Sequence, residues 1–394
     1  MKKALVVGGN SGVGLSMSLQ LLKRGYKHIY IVGKDSPDVD DISDDFKREF
    51  IEKTSFFRVD LTAEDYTVFD TIQDIDSLII TAGFGRADFF ENLLEAEIKN
   101  LVKCNELAVI QIIKKYYDKL KSDKNFYCAI MGSIAGHISS PLFSVYGAAK
   151  AGVCHFIENI NSELAYSESP NRILDISPGA LQGTKFHGNK TDVNALIDFS
   201  NEALDKMFNR ETLYIPKFDE IYKNVIEKYN NDPIKSGVES CEYKIKNNRL
   251  NKNPQVIVGY LSGTFDLFHI GHLNLLKRAK EHCDYLVVGV HESGAWKGKE
   301  TFIPFEERKA IIGSVKYVDK VIKSYTEDID AYEEIKYHRL FVGSDYKGTE
   351  RFNRYEKYFE NKNVKIIYFP YTQGTSSTQL RDILSSHKNK NEDK

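Results

Sequence analysis

Short apolar runs alternate with longer amphipathic segments along most of this chain, and that alternation leaves few folds open. Residues 4–7, 28–32, 55–59, 77–81, 126–131 and 172–177 are short, mostly apolar runs, read as strands covered on both faces. Helical patterns over 13–24, 91–120 and 146–165 fill most of the gaps. Strands separated by helices pair in parallel, so the reading is an α/β fold with a doubly wound parallel sheet. Residues 239–254 (ESCEYKIKNNRLNKNP) lack apolar periodicity and end in proline, which reads as a linker. Beyond it come strands at 255–260, 285–290, 340–342 and 364–369, and helices at 273–280, 305–313 and 377–384. The expectation is two α/β domains, 1–238 and a smaller 255–387, with 388–394 as a charged disordered tail.

At 394 residues the chain is long enough for two such cores. A net charge of -2 argues against a nucleic-acid coat. The five cysteines are scattered without a CxxC pair, so a reducing, cytoplasmic setting is expected rather than a disulfide framework or zinc knuckle. The apolar run after Met1 breaks at a glycine turn, unlike a signal peptide, and no stretch approaches the ~18 apolar residues of a membrane span.

In VVGGNSGVG, Gly8, Gly12 and Gly14 fall between the first strand and first helix, where backbone amides can approach a pyrophosphate at a helix N-terminus. Farther on, Tyr146 and Lys150 stand four apart on a helix, one turn from each other on one face. An ammonium beside a phenol is expected to pull the phenol pKa down, suiting it to general acid work on a carbonyl. Read alone, such a pair is an ordinary surface pair. Ser133 follows a strand ending at the carboxyl edge of the sheet, where ligands collect.

Together these residues resemble the short-chain dehydrogenase/reductase family over roughly 1–235, which implies a Rossmann-type fold and an NAD(P) cofactor. By that resemblance the glycine turn, with Asn10 and Ser11, holds the dinucleotide, while Asp60 and Leu61 meet adenine. Thr81-Ala82-Gly83 matches a conserved-type turn of the family, Asn105 a proton-relay asparagine, and Pro178, Gly179 and Thr184 the loop around the nicotinamide. Ser133, Tyr146 and Lys150 are then catalytic. Val7 and Thr81 depart from the family's pattern, and its closing strand is not recognisable. Lys34 at the tip of the second strand suits a 2′-phosphate, favouring NADP, although Asp35 beside it leaves NAD open.

The run GYLSGTFDLFHIGHLNLL sets His269 and His272 around a helix start, after the turn Gly263-Thr264-Phe265. Two imidazoles, glycine amides and a helix N-terminus make a seat for a triphosphate. A shared zinc is the competing reading, but no third ligand beyond Asp266 has suitable spacing, so no metal site is expected. With Gly271 between the histidines, the segment resembles the HxGH nucleotidyltransferases, specifically glycerol-3-phosphate cytidylyltransferase and its relatives, over about 255–385. That implies a second Rossmann-like domain and CTP, with Mg²⁺ accompanying the triphosphate. Lys297 would act in catalysis beside the two histidines. Lys299, Arg308, Asp345, Thr372, Ser376, Ser377 and Thr378 would join Gly263, Thr264 and Phe265 around the nucleotide. Tyr371 stands where the family has arginine, which opens the identity of the acceptor.

A reductase joined to a cytidylyltransferase suggests consecutive steps: a ketose phosphate reduced to an alditol phosphate, then converted to a CDP-alditol for capsule or teichoic-type polymers. Ribulose 5-phosphate and CDP-ribitol come first among the candidates, ahead of mannitol and glycerol. Cytidylylation before reduction, a non-catalytic NAD(P)-binding module and an ATP-using transferase stay open. Partners are small molecules, with a homo-oligomer implied by both families.

Overall fold

The computed structural model describes residues 2–37, 39, 42, 44–184, 186, 191–250, 256–294, 301–370 and 380. The chain divides into two compact units, Met1–Pro254 and Gln255–Lys394.

The first unit carries seven strands: β1 (Lys3–Val7), β2 (His28–Gly33), β3 (Thr54–Arg58), β4 (Ser77–Ile80), β5 (Tyr127–Met131), β6 (Ile173–Ile176) and β7 (Leu213–Tyr214). Its helices are α1 (Gly12–Lys23), α2 (Asp44–Glu52), α3 (Val68–Thr71), α4 (Glu95–Val102), α5 (Ala108–Lys121), α6 (Ser144–Tyr166), α7 (Ile197–Phe208), α8 (Lys223–Asn231) and α9 (Pro233–Lys246). The sheet runs β3-β2-β1-β4-β5-β6-β7, and every pairing is parallel. Strand order reverses between β1 and β4, so a crevice opens there beyond the carboxyl ends of the strands. β1 is nearly all apolar because both its faces are covered. Leu5 and Val7 pack into one cluster with Leu78, Ile112 and Ile130, whereas Ala4 and Val6 pack into the other with Leu15, Ile31 and Leu174.

Three expectations need correction. The helix read over 91–120 is broken into a 3-10 turn (Phe90–Asn92), α4, a π-helical turn (Lys103–Leu107) and α5. The closing strand is present as β7, but two residues are too few to carry an apolar pattern. The supposed linker is helical as far as Lys246. Asp232 caps α9 by accepting from the Lys235 amide at 2.9 Å, with Pro233 at the first helical position. A polar helix whose one packed side is short has little periodicity to detect.

The second unit contains β8 (Val258–Gly263), β9 (Tyr285–Val290), β10 (Lys320–Lys323), β11 (Arg339–Gly343) and β12 (Lys365–Phe369). Its helices are α10 (Ile270–Glu281), α11 (Phe305–Gly313), α12 (Asp328–Ile335) and α13 (Glu350–Phe359). This sheet is ordered β10-β9-β8-β11-β12, again parallel, with its reversal between β8 and β11. Both units are therefore doubly wound α/β folds, as expected. β10 escaped notice because Lys320 and Lys323 bracket only two apolar residues. The helix expected at 377–384 lies outside the described residues except for Leu380. Among the described residues no helix is long and apolar enough to cross a membrane.

Candidate active sites

In the first unit the glycine turn closes against the start of the β4 loop. Gly8 has φ +86°, and a Cβ there would lie 2.5 Å from the Ala82 amide nitrogen. A Cβ on Gly14 would lie 2.3 Å from the Gly8 carbonyl oxygen. Only glycine allows this approach of helix to strand. Ser11 caps α1 in extended conformation without a side-chain hydrogen bond, and Asn10 fills the space above Gly33. Thr184 comes within van der Waals reach of Gly12, so the loop after β6 returns to the glycine turn. Asp60 caps the short turn that begins at buried Leu61 and accepts from the Thr62 amide at 2.9 Å. It also pairs with Lys34 at 3.3 Å. The cradle that a Cβ would fill, at a helix N-terminus, fits a dinucleotide pyrophosphate.

Deeper in the crevice, Asn105 occupies the π-helical turn. Such a bulge widens the helix and re-aims one side chain, here inward. Its Nδ2 donates to Phe84 O at 2.8 Å and Leu101 O at 3.0 Å, while the buried Oδ1 has no partner among the described residues. A Cβ on Gly83 would lie 2.6 Å from that oxygen and 3.5 Å from Lys150 Nζ, so the two groups face the same point. A buried unsatisfied acceptor beside an ammonium marks a seat for a polar ligand or water.

Tyr146 lies against Gly85, its ring centroid 5.9 Å from Phe143 and 5.2 Å from Phe186. Ser133 hydrogen-bonds the phenol. The sequence argument expected Lys150 to pull the phenol pKa down. Instead burial pushes it up to about 12, with the Ser133 hydrogen bond opposing. Lys150 Nζ stands 5.8 Å from the ring centroid and donates to Met131 O at 2.7 Å. Burial holds its own pKa below the ordinary lysine value. A phenol kept protonated is the form a proton donor requires.

Behind Ser133 lies a polar cluster that the sequence reading missed. Ser177 Oγ donates to Asp175 Oδ1 at 2.7 Å and meets His137 Nε2 at 3.0 Å, and His137 Nε2 is 3.5 Å from Asp175 Oδ2. Cys154 Sγ is 3.7 Å from the same hydroxyl. Ligand atoms of His137, Cys154 and Asp175 lie within 4.8 Å of one another, with the hydroxyl bridging them. Hydrogen bonds to Asp175 and Cys154 raise the His137 pKa from 6.5 to about 10. A group raised on folding stabilises the fold below its unfolded value and loses that contribution as pH climbs through the folded one. The unfolding temperature of the first unit should therefore fall between pH 6.5 and about 10, and His137→Gln should flatten that slope. Parallel slopes for parent and variant in calorimetry would contradict the assignment.

In the second unit β8 ends at Gly263, and the turn that follows is strained: Phe265 and Leu267 have φ +53° and +49°. Buried Asp266 holds the turn by accepting from the Ile303 amide at 3.0 Å and the Phe302 amide at 3.1 Å. His269 caps α10, its Nδ1 accepting from the Gly271 amide at 3.0 Å. An accepting Nδ1 puts the proton of the neutral ring on Nε2. His272, its centroid 4.0 Å from that of His269, packs against Phe265 and Phe268. Burial, helped by His269, lowers its pKa to about 4, and its buried Nδ1 has no partner among the described residues.

A cavity of about 320 Å³ opens beside these groups, lined by Gly263, Thr264, Phe265 and His272 among others. Asp345 sits on a 3-10 turn (Ser344–Tyr346) directly after β11, close against Gly343. Arg308 corrects an expectation. It is fully buried and donates to the carbonyls of Ile303 (2.8 Å), Thr264 (2.5 Å), His291 (2.8 Å) and Glu292 (2.8 Å). Its guanidinium clamps the two loops around the cavity rather than reaching into it. Lys297, Lys299, Thr372, Ser376, Ser377 and Thr378 lie outside the described residues. The structure adds Ser262, Asp328 and Arg351 to the cavity wall. Ser262 donates to Asp328 at 2.8 Å, and Arg351 stands 3.6 Å from the same carboxylate. Ser262 was visible beside the glycine turn, whereas Asp328 and Arg351 come from α12 and α13 and carry no local signal.

Two doubly wound units, one with a Ser–Tyr–Lys–Asn crevice and one with an HxGH turn, define an oxidoreductase joined to a nucleotidyltransferase. Residues 2–195 match the short chain dehydrogenase family, and residues 260–386 the cytidylyltransferase-like family. Glycerol-3-phosphate cytidylyltransferase of Bacillus spizizenii is 37% identical over 128 residues, 32% of this chain and 94% of that protein. Very-long-chain 3-oxoacyl-CoA reductase of Bos taurus is 27% identical over 170 residues, 41% of this chain and 54% of that protein. Among solved structures, a short-chain dehydrogenase from Sphingobium yanoikuyae in complex with NADPH gives a TM-score of 0.48 at 20% identity. It covers 59% of this chain and 96% of that one. The chain carries a short-chain dehydrogenase domain followed by a cytidylyltransferase domain, and through the second it belongs to the family of glycerol-3-phosphate cytidylyltransferase.

Proposed function

We propose that the chain reduces a ketose phosphate, ribulose 5-phosphate first among candidates, to an alditol phosphate and then forms a CDP-alditol from CTP, releasing pyrophosphate. The observation that supports this most is the pairing on one chain of a carbonyl-reducing crevice with a cytidylyltransferase turn. A product of the first reaction is chemically the acceptor of the second. Such CDP-alditols would serve capsule or teichoic-type polymers, made in the cytoplasm by a homo-oligomer.

NADPH, when bound, would supply hydride to the carbonyl carbon. Tyr146 holds the proton for the carbonyl oxygen, Ser133 orients the phenol, and Lys150 with Asn105 Oδ1 lines a path for its replacement. In the second unit the alditol phosphate oxygen attacks the α-phosphorus of CTP, and the bond to pyrophosphate breaks. His269 and His272, both held neutral by burial, would donate N–H groups to the charge that develops, and Lys297 would add a cation. Mg²⁺ would accompany the triphosphate. Incubating the protein with NADPH, CTP, Mg²⁺ and a panel of ketose phosphates, then identifying products by mass spectrometry, tests the reading. No CDP-alditol from any of them would overturn it.

The 3.3 Å pair of Lys34 with Asp60 sets a cation at the tip of β2, where a ribose 2′-phosphate would arrive. NADPH should be preferred over NADH, and Lys34→Asp should erase or reverse the preference, by ~1.5–3 kcal/mol for one charged contact. Equal kcat/KM for both cofactors in the parent would refute it.

A further inference from the structure

The short-chain dehydrogenase match ends at residue 195, yet the first unit continues through α8 and α9, which pack on each other as a hairpin. The hairpin and the π-helical turn that leads into it (Phe218–Tyr222) touch both rims of the reductase crevice. On one rim, the Tyr222 hydroxyl sits so close to Gly179 that a Cβ there would lie 1.6 Å from its oxygen. On the other, Lys244 Nζ donates to Ser140 Oγ and Pro141 O, each at 2.9 Å, and lies 5.4 Å from the Phe143 ring centroid. Phe143 in turn packs on Tyr146.

Lys244 has two of its three donors engaged, both by neutral oxygens. It is half-buried, and no carboxylate lies within ion-pair distance among the described residues. Burial and neighbouring Arg249 lower its pKa to about 8. Arg249 lies over the ring of Tyr243, 5.2 Å from its centroid, and its charge adds to the repulsion at Lys244. A partly desolvated cation without a counterion is unfavourable, and a second cation beside it makes it more so. An arriving phosphate relieves both.

We propose that Lys244, with Arg249 near it, is the phosphate anchor that positions a phosphorylated ketose over Tyr146. The proposal rests on the function argued above and deepens it, because it makes the phosphate a requirement of the reductase. In ribulose 5-phosphate the phosphate lies three carbons from the carbonyl. A CDP-ketose would offer its pyrophosphate to the same cations.

The test uses the full chain with Lys244→Met, which keeps length and removes charge, and Lys244→Arg, which keeps charge. KM for the ketose phosphate should rise in Lys244→Met by ~10–100-fold, the range of one charge-assisted contact, with a smaller change in kcat. The preference for ketose phosphate over the unphosphorylated ketose should collapse by the same factor, and Lys244→Arg should restore part of it. Running the assay with a CDP-ketose distinguishes a monophosphate from a pyrophosphate as the natural anion. Inorganic phosphate titrated into the NADPH-saturated protein gives a readout independent of turnover, with one binding event present in the parent and lost in Lys244→Met. If the parent reduces no ketose phosphate, the functional reading fails while the titration still decides the anchor. Identical phosphate binding by parent and Lys244→Met overturns the anchor.

Discussion

Replacing Tyr146 by phenylalanine should lower carbonyl reduction by ~10²–10⁴-fold, the usual worth of a positioned general acid. The substitution keeps the ring, and with it the packing against Phe143, Phe186 and Gly85, so the crevice should keep its shape. What disappears is one hydroxyl, the group hydrogen-bonded by Ser133 and kept protonated by burial up to about 12. Because that proton is held across the neutral range, the loss should appear in kcat rather than as a shifted pH optimum. NADPH absorbance with a ketose phosphate measures it directly. Formation of CDP-alditol from CTP and a supplied alditol phosphate should hardly change in the same variant, since those residues belong to the other unit. A loss of reduction smaller than ~10-fold would remove Tyr146 from the proton-donor role.

The parts of this molecule legible in the sequence are those where backbone geometry restricts residue type. Gly8 and Gly14 could be read because a Cβ at either would strike backbone, and β1 because both its faces are covered. His269 and His272 could be read because a helix start fixes their spacing. What escaped depends on contacts distant along the chain. Asp175 of β6 and His137 after β5 meet through Ser177 although 38 residues apart in sequence, and Lys244 reaches back 103 residues to Pro141. The π-helical turn at Asn105 was read as plain helix because a single wide turn of five residues is too short to show in the apolar pattern of a long helical segment. Arg308 was misplaced for a different reason. The family resemblance places a cation near the nucleotide, but only the fold shows that four carbonyls already engage it.

Replacing His272 by alanine should have the complementary effect, lowering CMP transfer by about 10²–10³ in kcat, the loss expected when one donor to a charged transition state is removed. The ring is held between Phe265 and Phe268 and lines the cavity, so its orientation is set before any ligand arrives. With its pKa lowered to about 4, it is neutral at working pH and acts through an N–H rather than a full charge. Its protonation should therefore leave no inflection in the transfer rate between about pH 6 and 8. His272→Gln, which carries an amide N–H to nearly the same place, should retain more activity than alanine. The same alanine variant also reports reaction order. If reduction comes first, it will still oxidise NADPH with ketose phosphate. If cytidylylation comes first, it will consume no NADPH until a CDP-ketose is supplied. Should it lose both half-reactions on their own supplied substrates while circular dichroism stays unchanged, two independent sites cannot be the right description.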